Sequence, residues 1–88
     1  MELKEVIFTN SIPSIDLHGL DRDTARVKVL EFINDNKVMK NETISIIHGI
    51  GNGILLKDVH NTLKNSKDVL DYKLHFNNTG ETIVKIKI

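Results

Sequence analysis

Two short segments of this chain carry residue types that handle protons and phosphate. In "IDLHG", Asp16 and His18 are two positions apart, so on an extended strand both point to the same side. A carboxylate beside an imidazole orients the ring and raises its basicity, which suits general acid–base chemistry near neutral pH. In "IIHGIGNG", His48 stands directly before three glycines at alternate positions, Gly49, Gly51 and Gly53, with Asn52 between the last two. Such glycines open conformations closed to other residues and let a ligand come close to the main chain. A helix starting near Gly53 would add unpaired N–H groups and a partial positive charge. Strand, glycine loop and helix start together accommodate an anion, most often phosphate. The loop is not a nucleotide loop: Ile54 breaks the G-x-G-x-x-G pattern, and no G-x-x-x-x-G-K string follows. If the two segments meet, one imidazole could take a proton from an attacking hydroxyl while the other protonates a leaving oxygen. Asp16, His18 and His48 are also ligand types that permit a divalent ion as cofactor. No H-E-x-x-H or cysteine pair supports one, so no metal site is assigned. The plain alternatives are a tight turn, an aspartate capping its own loop, and histidines as polar strand ends.

The elements that must position these residues can be read from hydrophobic period. Ile15 and Leu17 alternate with Asp16 and His18 as a half-buried strand, stopped by Gly19. Asp21 is a suitable N-cap and Asp23 suits the first turn of a helix over residues 22–37, whose stripe is Ala25, Val29, Phe32 and Ile33, widened by Leu30. "NDNK" frays its end. "ETISIIHG" is rich in β-branched residues and predicts the second strand. A second helix over 53–66 buries Leu55, Val59 and Leu63. Leu70, Tyr72, Leu74 and Phe76 then alternate with Asp71, Lys73 and His75, and Val84, Ile86 and Ile88 alternate with Lys85 and Lys87. "NNTG" between them predicts a turn with Gly80 at positive φ. "EVIF" near the N-terminus reads as a short edge strand ended by Pro13, in an extension over 1–12 that precedes the domain at 13–88. The order β-α-β-α-β-β predicts an α/β two-layer sandwich, helices on one sheet face and water on the other. If the first three strands are parallel, their carboxyl ends form one edge, where ligands of such sheets bind. His60 and His75 are expected to face solvent.

Composition sets bounds on partners. The chain has 88 residues, enough for one modest core, with 12 basic and 12 acidic residues and no cysteine. A net charge of zero argues against binding nucleic acid through bulk charge, so any such contact must be local. Lys73, Lys85 and Lys87 could form a small basic patch on the open sheet face, or simply protect that face from aggregation. Tyr72 and Phe76 are expected on the core side, leaving no aromatic stacking platform. No apolar run approaches membrane-span length and the N-terminus lacks a signal-peptide layout, so the protein reads as cytoplasmic with no membrane partner.

The pairing of "IDLHGL" with "IIHGIGNG", each followed by a helix, with a terminal hairpin ending "TIVKI", resembles the small MutS-related (Smr) domain family. The resemblance implies a four-stranded mixed sheet with two helices on one face and the last strand inserted between the second and third. It implies DNA or RNA as partner, branched or otherwise structured, the ribosome as a further one, and endonuclease (phosphodiester-cleaving) activity. The residues that match its motifs are Asp16, His18 and Gly19 in the first and His48, Gly49, Gly51 and Gly53 in the second; by that likeness Asp16 and His18 are the catalytic candidates and His48 with the loop glycines holds the phosphate. With the reading of the residues above, the expected site is Asp16, His18 and His48 for catalysis, and Gly19, Gly49, Gly51, Asn52, Gly53 and the nearby Lys57 for phosphate. Ile50 stands where many members carry a basic residue and Leu56 where many carry arginine. The alternative reading is a non-catalytic module that docks nucleic acid or a ribosome-associated partner.

Overall fold

The computed structural model describes residues 12–51 and 53–88. Its elements are β1 (Ser14–Asp16), α1 (Arg22–Val38), β2 (Thr43–Ile47), α2 (Ile54–Lys64), β3 (Val69–His75) and β4 (Asn78–Ile86). The sheet order is β1-β2-β4-β3. β1 and β2 are parallel, and β4 runs antiparallel to both β2 and β3. The first three strands therefore point the same way, with β4 reversed between β2 and β3. Their carboxyl ends share one edge, which carries the turn after β1, the glycine loop after β2 and the β3–β4 turn. The "EVIF" strand and Asn52 lie outside the described residues.

One apolar cluster joins Leu17, Ala25, Val29 and Ile33 to Ile44, Ile46, Val59, Leu63, Val84 and Ile86, so both helices cover a single face. Burying each of the larger aliphatic side chains contributes about 1.5–3 kcal/mol relative to exposure. These central residues, rather than surface ion pairs, carry the fold. Asp21 caps α1 by accepting from the Thr24 amide at 2.7 Å, which satisfies one of the helix's orphan donors. Its carboxyl is held below the usual range by hydrogen bonds from Thr24. Arg22 Nε and Nη2 donate to the two carboxylate oxygens of Asp58 at 2.5 and 2.9 Å, tying the start of α1 to α2. The end of α1 does not fray where "NDNK" suggests. Asn36 is fully buried, donates to the Phe32 carbonyl and accepts from Asn41 Nδ2, while the Asn41 amide donates to the Asn36 carbonyl. An asparagine with its groups satisfied inside is no longer a helix breaker.

Strict alternation fails in places. Leu30 is exposed, being one position too far round the helix from the buried stripe. In β3 the register shifts between Val69 and Asp71, so Val69 packs on the core and Leu70 is 57% exposed. A second shift between Leu74 and His75 turns Phe76 outward, to 72% exposure. β4 ends at Ile86, and Ile88 is exposed beyond it. The second sheet face is not open water throughout: Thr43, Ser45, Glu81 and Ile83 are buried, Ile12 packs on Ile83, and the Ser45 hydroxyl donates to the Glu81 carboxylate.

Candidate functional site

The carboxyl edge brings the two sequence segments together. The parallel pairing of Asp16 with Ile47 puts the ends of β1 and β2 side by side, and the Leu17 amide donates to the Ile47 carbonyl at 2.7 Å. His18 follows on an exposed turn, closed by its own amide donating to Asp16 Oδ1 at 2.9 Å. Asp16 thus grips the backbone of His18, and this contact fixes the turn that presents the imidazole. The ring leans over the glycine loop: a β-carbon at Gly49 would sit 3.5 Å from His18 Cδ2. Gly49 (φ +81°), Gly51 (φ +36°) and Gly53 (φ +83°) all use left-handed backbone, which other residues enter only with strain. Gly53 caps α2 without a side-chain hydrogen bond.

The loop's amides divide into two groups. Those of His48 and Gly49 both donate to the Gly80 carbonyl of β4, at 2.9 and 3.0 Å. Those of Ile50, Gly51 and Gly53 have no hydrogen-bond partner among the described residues. Gly80 differs from its predicted role. Its φ is not positive; it is glycine because a β-carbon there would lie 3.2 Å from the Gly49 carbonyl carbon. The strand can approach the loop only at a residue with no side chain.

His48 also departs from expectation. It is 3% exposed, and it continues the inward parity of Ile44 and Ile46. Its Nδ1 lies 3.0 Å from the Gly49 carbonyl oxygen and its Nε2 2.8 Å from Thr82 Oγ1. Both ring nitrogens are engaged inside, so the ring supports the loop from beneath while His18 faces outward. Among the described residues no three histidine, aspartate or glutamate side chains converge as an ion's ligands would, and no step is assigned to a metal here.

Residues 15–87 match the Smr domain. The chain belongs to the Smr domain family. Among its curated relatives, it is 35% identical over 77 residues to "Endonuclease MutS2" of Clostridium kluyveri and 36% identical over 76 residues to that of Clostridium botulinum. These matches cover 84% and 83% of this chain but 10% of either relative; the chain spans about a tenth of their length. In structure it is similar to the Smr domain of Thermus thermophilus MutS2, with a TM-score of 0.85 and 22% identity over 88% of this chain and all of that one. It is also similar to YdaL, a stand-alone small MutS-related protein from Escherichia coli, with a TM-score of 0.81 and 23% identity over 85% of this chain and 64% of that one. The inserted position of β4 agrees with the arrangement the resemblance implied.

The lysines of this Smr domain are not gathered at the loop. Lys57 is exposed in the first turn of α2. Lys73 is exposed on β3, opposite Ile83 on the face away from the helices. Lys85 lies opposite Asp71 and Thr43, at the start of β2, and Lys87 follows it beyond the strand. Four residues of strand separate Lys85 from Glu81, about 13 Å, so Lys85 and Lys87 sit toward the far edge. Gly19 (φ +85°) closes the turn after His18 with open space around it. No helix of the described residues is long and apolar enough to cross a membrane.

Three residues that motif reading passes over join the cluster around the glycine loop. Gly80 is one. The others are Thr82, fully buried, and His60, half-buried and facing the sheet rather than solvent. His60 Nε2 lies 2.9 Å from Thr82 Oγ1, and its ring packs on Tyr72 with centroids 5.1 Å apart. Thr82 shares the parity of Val84 and Ile86, so a hydroxyl on the core side was the available signal. Burial, then the neighbouring His48, pushes the His60 pKa below its ordinary 6.5. The folded state therefore binds fewer protons than the unfolded state between the depressed value and 6.5. We expect this contribution to stability to be complete above about pH 6.5 and to be lost as the pH falls through the window below it. Denaturant unfolding at pH 7.5 and 5 checks this, and His60→Phe should flatten the dependence. Loss from Asp58 and Asp68, whose pKa values are lowered by hydrogen bonds from Arg22 and Lys37 respectively, belongs to a lower window, beneath the carboxylate range.

Proposed function

We propose that this Smr domain binds structured DNA or RNA along its carboxyl edge and cleaves a phosphodiester there. One observation carries the reading: the exposed imidazole of His18 lies against Gly49, at the mouth of a loop whose outer amides have no partner among the described residues. Such amides, with the start of α2 behind them, receive a phosphate oxygen. His18, unprotonated, takes the proton of the attacking water or ribose hydroxyl as its oxygen bonds to phosphorus. The bond to the leaving oxygen breaks, and that oxygen is protonated from solvent. Asp16 holds the turn that presents the ring. The relatives' name, endonuclease, supports this chemistry.

Affinity rests on few charges. Ile50 and Leu56 supply none beside the loop, and Lys57 is the neighbouring cation. Phe76, stacked on His75 at 4.8 Å between centroids, offers its outer face to a base. With Lys57 and Lys73 as the engaged cations, the logarithm of the binding constant should fall against that of salt with a slope of about −2; a slope of about −4 would bring in Lys85 and Lys87 as well. The deciding experiment incubates the protein with labelled branched DNA, hairpin RNA and single strands, with and without a divalent ion. Cleavage of a structured substrate is expected. Binding without cleavage in every condition would replace this reading with that of a docking module for nucleic acid or the ribosome, a reading the uncharged Ile50 and Leu56 favour. No binding at low salt would overturn both.

A further inference from the structure

We propose that His60 and Thr82 are positioning residues for the glycine loop, acting through a one-directional hydrogen-bond chain that holds His48 as its Nδ1–H tautomer. The inference rests on the loop's role in the preceding reading, but its geometry stands apart from any ligand. The direction of the chain follows from its last acceptor. A carbonyl oxygen only accepts, so the 3.0 Å contact between His48 Nδ1 and the Gly49 oxygen requires the proton on Nδ1. In the neutral ring Nε2 is then bare and accepts from the Thr82 hydroxyl at 2.8 Å. The Thr82 oxygen, having given its only proton, accepts in turn from His60 Nε2–H at 2.9 Å. Each link fixes the next: His60 to Thr82, Thr82 to His48, His48 to the Gly49 carbonyl. Tyr72 packs against the outer ring from β3, and the two imidazoles meet edge to face at 6.1 Å.

The end of the chain matters for the site. The peptide after Gly49 is trans, so its N–H, on Ile50, points opposite to its carbonyl. Drawing the Gly49 carbonyl toward the His48 ring turns the Ile50 amide away from that ring. On the strand side, the Gly80 carbonyl holds the two preceding amides. The loop's leading peptides are thereby fixed before any phosphate arrives, and a donor aimed in advance is worth more than one that must reorganise.

Thr82→Val keeps the side-chain shape and removes the hydroxyl; Thr82→Ser keeps the hydroxyl. Imidazole nitrogen NMR on the free, full chain at pH 7.5 should show His48 protonated at Nδ1 and bare at Nε2. In Thr82→Val the tautomer should shift toward Nε2–H, the Ile50 amide resonance should move or broaden, and affinity for a short labelled oligonucleotide should drop about tenfold, the effect of one well-placed charge-assisted hydrogen bond. Thr82→Ser should match the parent in all three. His60→Phe, which removes only the outermost donor, should shift the same signals less, and it serves if Thr82→Val fails to fold. A parent His48 found as Nε2–H overturns the proposal, as does a Thr82→Val chain with unchanged His48 and Ile50 signals or unchanged affinity. If the parent binds no oligonucleotide, the nucleic-acid reading falls, and the nitrogen and Ile50 signals decide the chain alone.

Discussion

Replacing His18 with alanine is expected to lower cleavage by about 10²–10⁴-fold, the range of a lost general acid–base group, while leaving affinity for the same substrate nearly unchanged. The reasoning is geometric. His18 is exposed, and the hydrogen bond from its backbone N–H to the Asp16 carboxylate survives the substitution. The loop amides, Lys57 and the start of α2 are untouched, so the phosphate should still be received. Only the proton acceptor is gone. Single-turnover cleavage beside equilibrium binding separates the two quantities. Loss of both together would mean that the ring binds rather than transfers a proton, and cleavage that survives would remove His18 from the mechanism. Because the turn is closed through the carboxylate of Asp16, Asp16→Asn should be milder than His18→Ala: an amide oxygen can still accept from the His18 N–H.

The contrast between the two histidines shows how far residue order reaches. Period-two alternation, helical spacing and the Asp21 cap suffice to place both helices and all four strands in order; the shared edge needed the strands to be parallel as well, and the last turn lies earlier than "NNTG" suggests, since β4 already begins at Asn78. For His48 the side of the sheet was also written in parity, since it continues Ile44 and Ile46 inward; His18 lies past the end of β1, on a turn where strand parity no longer applies. What order alone does not contain is the identity of the partners. Thr82 and His60 are 34 and 12 positions from His48, and they reach it only because β4 inserts beside β2 and α2 crosses above them. The bulges of β3 were hidden for a related reason. Leu70 and Phe76 keep perfect alternation with Tyr72 and Leu74, yet the strand shifts register at both ends, because what β3 must match is β4, not its own pattern. The shift leaves Phe76 exposed, the aromatic face that the proposed binding mode uses.

Gly80→Ala should destabilise the domain by about 1–3 kcal/mol, the cost of forcing one extra carbon into a packed contact, and should disturb the loop more than the sheet. The new β-carbon would meet Gly49 at 3.2 Å from its carbonyl carbon and 3.3 Å from its Cα, and Asn78 Oδ1 at 3.2 Å. A flexible side chain could step aside, but two of these atoms are main chain. They are held there by the hydrogen bonds from His48 and Gly49 to the Gly80 carbonyl itself, so the contact cannot relax without lengthening the bonds that define the loop. Alanine's smaller unfolded-state entropy offsets about 0.4–1 kcal/mol, which leaves a net loss. For a domain of this size each kcal/mol lowers the melting temperature by about 4–8 °C, within easy reach of a thermal melt. The nearest atoms to the new carbon belong to Asn78 and Gly49 rather than to the apolar cluster of Ile44, Ile46 and Val84, so the cooperative core should persist. Amide shifts should change around residues 48–51 and not in α1. A melting temperature equal to the parent's would show that the loop is free to move away from β4, and the proposed clamp on the phosphate site would then have no rigid jaw.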